Sequence, residues 1–406
     1  MKKYKFILAG FLVLVLVGCG GYIEDDGAKY YEATNSLADM FPTPPPTTQP
    51  PPTEPPPIVV PDDFVPQTPW VEMELEPDPR RRISAAFEVS FAIDRYGVLW
   101  AWGNNFLGEL GVGAGNHNRT TPTQVMENAV AVSSSSSVTL AIGEDGGLYQ
   151  WGFVQGTVEN VRQTPHRIED GIVWANPHML QSRAISTTGE AFVWRNPTPG
   201  ATITSPMRYQ IFNSYPIHQT VRNFPRISSH YGVLAFAEGG LRTYVIMHNN
   251  SLYYWGSFWG DDPYTLVHVL DNIAYVSACI NHTLAIGLDG RLYAWGDNSH
   301  GQIGSGFDDW LENPTVIMQG VTDISVLGNR SAIIDSAGNL TVRGYGSNEN
   351  NVLLENAVLV CISSHHGLAI TYDGGLYAWG SNNAGQLGTG DTEPQSTPVR
   401  VLENMR

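Results

Sequence analysis

The chain has 406 residues, a formal net charge of −17 at pH 7 and only 15% charged residues, with 42 glycines, 27 prolines, 11 tryptophans and 3 cysteines. Its lysines, Lys2, Lys3, Lys5 and Lys29, all precede a proline-rich stretch, so arginine is the only permanent side-chain cation beyond it. A nucleic-acid binder needs a basic stripe to displace counterions; none is present, and that class of partner is excluded.

The first residues read as an address. Lys2, Lys3 and Lys5 stand before the unbroken apolar run 6–17. That run is too short to span a bilayer comfortably, so it is expected to be the core of a signal peptide. Leu16-Val17-Gly18-Cys19 resembles the bacterial lipobox, which implies cleavage before Cys19 and diacylglycerol on its sulfur. The alternative is an incidental thiol beside an ordinary cleavage site. Two or more acyl chains hold a protein on a membrane, where one is marginal. Residues 1–18 are therefore expected to be a lipoprotein signal peptide, and the protein to be exported and anchored on the outer face of the cell membrane.

Residues 19–79 are expected to form a disordered acidic and Pro/Thr-rich tether. From Pro42 to Pro69 proline dominates, including three Pro-Pro-Pro runs, and proline fixes φ while removing the backbone donor. At about 3.1 Å per residue, such a polyproline segment reaches on the order of 80–90 Å, enough to cross a cell wall.

Residues 80–406 repeat a phrase. Gly-Arg-Leu-Tyr-Ala-Trp-Gly-Asp-Asn at 290–298 returns as Gly-Gly-Leu-Tyr-Ala-Trp-Gly-Ser-Asn at 374–382 and as Gly-Val-Leu-Trp-Ala-Trp-Gly-Asn-Asn at 97–105. These continue as Gly-Gln-Ile-Gly (301–304), Gly-Gln-Leu-Gly (385–388) and Gly-Glu-Leu-Gly (108–111). The tryptophan position is filled by Trp102, Trp151, Trp194, Trp255, Trp295, Arg343 and Trp379, at intervals of 36 to 61 residues. Asp-Gly or Asn-rich pairs precede most copies, as two-residue hairpin turns require, and short apolar strands precede most turns. Strand, turn, strand, glycine loop and extended chain predict antiparallel four-stranded blades set radially.

The ends suggest how the ring closes. Val-His-Val-Leu-Asp-Asn-Ile at 267–273 is matched by Val-Arg-Val-Leu-Glu-Asn-Met at 399–405, and Arg82-Ile83-Ser84 through Ile93 matches the rest of the fifth unit as far as Ile286. The expectation is an all-β, seven-bladed propeller closed by pairing of the N- and C-terminal segments, which removes exposed sheet edges.

The phrase Asp-Gly-x-Leu-Tyr-x-Trp-Gly-x-Asn-x-x-Gly-Gln-Leu-Gly is similar to the repeat of the regulator of chromosome condensation family. The resemblance spans residues 80–406, specific at units one, five and seven and weak elsewhere; unit three reads Trp194-Arg195 where others have Trp-Gly. It implies a propeller whose relatives serve as nucleotide exchange factors for a small GTPase, chromatin binders and secreted β-lactamase inhibitors. An export signal and an acidic chain suit the last compartment best.

Chemistry-bearing motifs are few. Neither a nucleophile elbow, nor a phosphate-binding loop, nor a His-Glu-x-x-His pair occurs. No cofactor, metal or catalytic residue is expected. His282 and His366 fall at equivalent places in two units, which argues for a repeat role. Cys279 and Cys361 sit in strand-like runs of non-adjacent units and are expected as buried free thiols. Between Trp151 and Trp259 the repeat glycines thin out while additional aromatics appear, and rigid aromatics anchor interfaces. Trp174, Tyr209, Tyr215, Trp259 and Tyr264 are the candidate ligand-binding residues; filling of gaps left by lost repeat residues is the competing explanation. The expected function is a monomeric, non-enzymatic scaffold that binds an extracellular protein, as an inhibitor or adhesin. The alternative is a protein that binds or hydrolyses wall glycan.

Overall fold

The computed structural model describes residues 78–406 apart from 114, 116, 136, 154–160, 178–180, 188–190, 196–232, 240–241, 257–265, 305 and 345–350. The expected leader and nearly all of the tether lie outside the described residues, as do Cys19, Tyr209, Tyr215, Trp259 and Tyr264.

Each copy of the phrase folds as a hairpin. In the fifth unit His282–Gly287 pairs antiparallel with Leu292–Asp297, and Asp289-Gly290 makes the turn, with Gly290 at φ 77°. Ile273–Ala278 pairs on one side of this hairpin and Trp310–Met318 on the other. The same order recurs along the chain in sheets spanning 83–126, 129–169, 172–195, 233–270, 273–318, 321–354 and 357–402, numbered here 1 to 7. First strands of neighbouring sheets lie against one another, so they form the inner wall, while fourth strands such as Arg119–Met126 are partly exposed on the outside. Apolar clusters fill the gaps between neighbours. Phe91, Leu110, Val132 and Trp151 join sheets 1 and 2; Ile83, Trp102, Leu368 and Leu387 join sheets 7 and 1.

Two expectations are corrected. Six sheets are complete four-stranded blades; sheet 3 has three strands among the described residues, Ile172–Pro177, Gln181–Ser186 and Ala191–Arg195. Among the described residues the propeller thus shows six complete blades rather than seven. The shortfall falls in the unit that has Arg195 where the others have the glycine of Trp-Gly. At Gly103 (φ 102°) a Cβ would land on the carbonyl oxygen of Glu88, at the turn between the first two strands. Only glycine lets the chain leave the tryptophan strand that closely.

The terminal segments also do not pair as strands of one sheet. Gln395–Leu402 pairs with Leu376–Gly380 inside sheet 7, and Ile83–Ala86 pairs with Val89–Ile93 inside sheet 1. Val267–Leu270, the run that the C-terminus matches, is the last strand of sheet 4 and not the first of sheet 5. A cyclic repeat fits any starting point, and the expected boundary lay one strand too early. The C-terminal residues instead reach sheet 1 through a backbone bond, Arg95 N to Asn404 O (2.8 Å), while Met405 N donates to Gly374 O in a turn of sheet 7 (3.0 Å). Met405, 1% exposed, sits where Ala129, Ile273 and Ala357 open their sheets, and Asn404 shares the positive φ of Asn128, Asn272 and Asn356.

Candidate binding surface

The repeat residues are spent on joining blades. Trp102 Nε1 donates to Gln386 O (2.8 Å) and Trp151 Nε1 to Glu109 O (2.8 Å), each tryptophan reaching into the glycine loop of the preceding sheet. A Cβ at Gly111 would meet Trp151 Nε1 at 2.6 Å, so this loop glycine makes room for the ring. The loops are pinned by the asparagine of the phrase. Asn105, Asn298 and Asn382 accept through Oδ1 from Leu110 N, Ile303 N and Leu387 N at 3.2, 2.8 and 2.9 Å. In sheet 6, where arginine replaces tryptophan, Arg343 Nη1 donates to Ile303 O (2.8 Å). The N–H donor survives the loss of the indole.

Two Ser–His pairs look catalytic and are not. His366 Nε2 lies 2.8 Å from Ser90 Oγ and His282 Nε2 lies 2.7 Å from Ser331 Oγ, each histidine reaching the next sheet. All four residues are buried. Ser90 Oγ donates its proton to Gln386 O (2.7 Å), which leaves His366 Nε2–H as donor to the serine and not as a base toward it. Burial pushes His366 down to about 3 and His282 down to about 4, so both rings are neutral. A hydroxyl with no access to substrate is not a nucleophile.

Both described cysteines are free, as expected, and each takes a serine's place. Around the inner wall Ser84, Ser277 and Ser325 accept through Oγ from Ser134 N, Val326 N and Ile362 N at 3.0, 3.1 and 3.0 Å. Cys361 Sγ accepts from Ala85 N (3.2 Å) at the corresponding position. Cys279 Sγ stands 3.4 Å from His282 Nδ1, as Ser363 Oγ stands 2.8 Å from His366 Nδ1. Burial pushes the Cys361 thiol up to about 11, far from a reactive thiolate.

Among the described residues, two regions present chemistry outside this packing. The first is the axis. A short 3-10 turn, Pro79–Arg82, precedes the first strand and lies against Ala129–Ser134 of sheet 2. Arg81 Nη1 donates to Ala175 O (2.8 Å) in the inner strand of sheet 3, and its guanidinium covers the Trp174 ring at 4.3 Å. Arg80 covers Tyr275 of sheet 5 at 4.4 Å and lies 3.6 Å from Asp323 of sheet 6. Arg82 donates to Asp94 O of sheet 1. A segment touching the first strands of sheets 2, 3, 5 and 6 sits on the axis they surround. Burial pushes Asp323 up to about 7, against the Val360 amide and Arg80, which pull it down.

The second region is the face carrying the glycine loops. A shallow, half-open depression lies between sheets 4 and 5, lined by Arg242, Tyr244, Ile280, Trp295, Trp310 and Glu312 among others. Ile280 and Trp310 are 39% and 52% exposed there, and Phe307 is exposed on the loop of sheet 5.

Of the five aromatic candidates, only Trp174 is described; it is 3% exposed, in the core between sheets 3 and 4, with the Arg81 guanidinium over its ring. Its ring meets Phe236 edge-on at 5.5 Å, and Phe236 meets Trp255 at 6.1 Å. Aromatic packing fills the space where repeat residues are lost. The residues that sequence reasoning missed are Arg80, Arg81 and Asp323. Three successive arginines at the mouth of an acidic chain were the available signal.

Family models for the regulator of chromosome condensation (RCC1) repeat match residues 96–142 and 373–406, and a second model of the same description matches 273–302 and 357–386. The "Ultraviolet-B receptor UVR8" of Arabidopsis thaliana is 24% identical over 329 residues, covering 80% of this chain and 58% of that protein. "Protein pim1" of Schizosaccharomyces pombe is 24% identical over 356 residues, covering 75% of this chain and 59% of that protein. The human "E3 ubiquitin-protein ligase HERC2" is 23% identical over 342 residues, covering 77% of this chain but 6% of its own length. The chain thus spans less than two thirds of each of these curated relatives. Among solved structures, Prp20p of Saccharomyces cerevisiae, described with its binding to Gsp1p and histones, superposes with TM-score 0.58 at 17% identity over 82% of this chain and 88% of that one. Human WBSCR16 gives TM-score 0.57 at 18% identity over 75% and 94%. At these identities the structures speak for the fold.

Proposed function

From the premise that this chain is an RCC1-repeat propeller, we propose that it is a non-enzymatic, protein-binding scaffold tethered to the outer face of a cell membrane through lipid on Cys19. One observation carries the reading. Among the described residues, the Ser–His pairs His366–Ser90 and His282–Ser331 are spent inside blade packing, while apolar side chains are presented on the loop face around Trp310 and Ile280. Exposed aromatics beside a depression suit a protein surface, because rigid rings bury large area at low entropic cost. Prp20p, whose structure was described with its binding to Gsp1p and histones, supports the use of such a ring as a protein-binding platform. The lipobox-like Leu16-Val17-Gly18-Cys19 and the proline-rich stretch support anchoring and display.

Incubation of the full chain with secreted proteins and with wall glycans tests the reading. Saturable capture of a protein, lost in Trp310→Ser, is expected; release of soluble sugar overturns the non-enzymatic assignment, and retention of glycan without a protein partner overturns the protein-binding one. For the anchor, a fatty-acid probe is expected to label the wild-type chain and not Cys19→Ser. Equal labelling of both overturns lipidation at Cys19.

A further inference from the structure

Arg80 and Arg81 meet two aromatic faces, a main-chain carbonyl and a buried carboxylate, drawn from three different sheets. Trp174 and Ala175 belong to sheet 3, Tyr275 to sheet 5 and Asp323 to sheet 6. Nothing in the repeat demands this set, since Trp174 and Asp323 are not repeat residues. Each member has the chemistry that recognises a guanidinium: rings attract a cation over their faces, and oxygens accept from its edge. Asp323 is 4% exposed at its side chain and is held by Val360 N (2.9 Å), so the acceptor is fixed before Arg80 arrives. The four-residue turn that brings the arginines runs straight into the first strand at Ile83, and Arg82 donates to Asp94 O of its own sheet.

We infer that the axis of the propeller is a binding site for a paired-arginine peptide, occupied in cis by Arg80 and Arg81, so that the chain's own segment 78–82 is an intramolecular ligand. The inference goes beyond the proposed scaffold role and does not depend on which partner the loop face meets. A lysine would satisfy it poorly. An ammonium is a compact, strongly hydrated point charge, whereas the guanidinium plane stacks on Trp174 or Tyr275 and still donates from its edge. The site also fixes where the tether ends, because the residue before the turn, Asp78, accepts from Arg80 N (3.0 Å) and belongs to the same plug.

The test uses the full chain. Arg80→Ala/Arg81→Ala is expected to lower Tm by several degrees. A synthetic peptide of residues 76–82, Glu-Pro-Asp-Pro-Arg-Arg-Arg, is expected to raise that Tm saturably while leaving wild type unmoved at the same concentration, because a ligand stabilises only the state that has its site vacant. The same peptide with lysines in place of arginines is expected to need at least about tenfold higher concentration for the same shift. No shift in the folded variant, an equal shift in wild type, or equal potency of the lysine peptide overturns the inference. Trypsin gives an arm that needs no variant. Neither lysine nor arginine occurs between Lys29 and Arg80, so cleavage at 80–82 reports on the plug alone. Bonds after Arg80 and Arg81 are expected to survive long after the Lys29 bond is cut. Cleavage at equal rates overturns occupancy in cis, and this readout holds if the alanine variant fails to fold.

Discussion

At the seam between sheets 7 and 1, Trp102 and Ser90 both donate to the carbonyl of Gln386, and His366 crosses to Ser90. Between sheets 3 and 4 the same gap is filled by Trp174, Phe236 and Trp255 in edge-on contact, with Arg81 laid over Trp174 from the axis. The first interface is polar at its centre and directional, so it fixes one register between blades. The second, among the described residues, brings three rings edge to face and takes its cover from a residue outside both sheets. A ring of repeats thus tolerates loss of its phrase where another group covers the ring left behind, and the degenerate sector is where the N-terminal segment has become part of the core.

Truncating the central tryptophan of either interface is the harshest way to break that contrast. Trp102→Ala and Trp174→Ala are each expected to lose about 3–5 kcal/mol in urea unfolding, the usual cost of removing a buried large aromatic side chain. Coupling to the plug separates them. In a double-mutant cycle with Arg81→Ala, Trp174→Ala is expected to show an interaction energy of roughly 0.5–3 kcal/mol, while Trp102→Ala adds within about 0.5 kcal/mol. Equal coupling at both sites removes the distinction drawn between the interfaces. Below these in size stands Gly103→Ala. A Cβ there strikes Glu88 O and the backbone holds φ 102°, so a cost of about 2–4 kcal/mol is expected from strain and the shift it forces.

This contrast bears on what a sequence makes legible. The hairpins, the equivalence of His282 with His366 and the free state of Cys279 and Cys361 were readable, because each is local or recurs. The offset of one strand at the seam was not, since a repeating phrase has no intrinsic beginning. That sheet 3 shows three strands among the described residues was foreshadowed only by Arg195 in place of glycine. Trp174 stood out as a ligand-binding candidate because departure from the repeat is visible in sequence, while Arg81, which covers its ring, is 93 residues away in the chain. The Arg80–Asp323 approach has no periodic signature at all. Single-copy contacts between distant segments are what a repeat-based reading passes over.

Within the polar interfaces one blade departs in charge. Glu109 occupies the place of Gln302 and Gln386, each of which accepts a loop amide two residues before it, as Glu109 Oε2 accepts from Leu107 N (2.6 Å). Burial pushes the Glu109 carboxyl up to about 7. A carboxyl that binds its proton more tightly when folded contributes most below its unfolded value near 4.5, and that contribution is lost as pH rises through about 7. Glu109→Gln is therefore expected to gain about 1–3 kcal/mol at pH 8 and less at pH 5, read from urea midpoints at the two pH values. A gain independent of pH means that the carboxylate is solvated in the folded chain and the interface is less closed than its geometry indicates.

The smallest effect concerns what the repeat conserves when it changes. Arg343 keeps an N–H on the loop of sheet 5 without keeping an indole, and its donor reaches Ile303 O, one residue beyond the carbonyl that Trp102 and Trp151 use in the loops of the sheets before them. If the hydrogen bond is what the interface requires, Arg343→Met, similar in length and without a donor, loses the net value of one bond, about 1 kcal/mol. Arg343→Trp restores the donor of the other blades and is expected to lie closer to wild type than the methionine variant does. Ser331, in the place of Ser90 and Thr139 opposite this position, leaves space for the ring. Urea unfolding of the two variants decides the point. A methionine chain as stable as wild type, beside a destabilised tryptophan chain, would mean that the Arg343 bond adds nothing to what His282–Ser331 and Val326–Ser277 already supply between sheets 5 and 6, and that the donor at this position matters only where the tryptophan is kept.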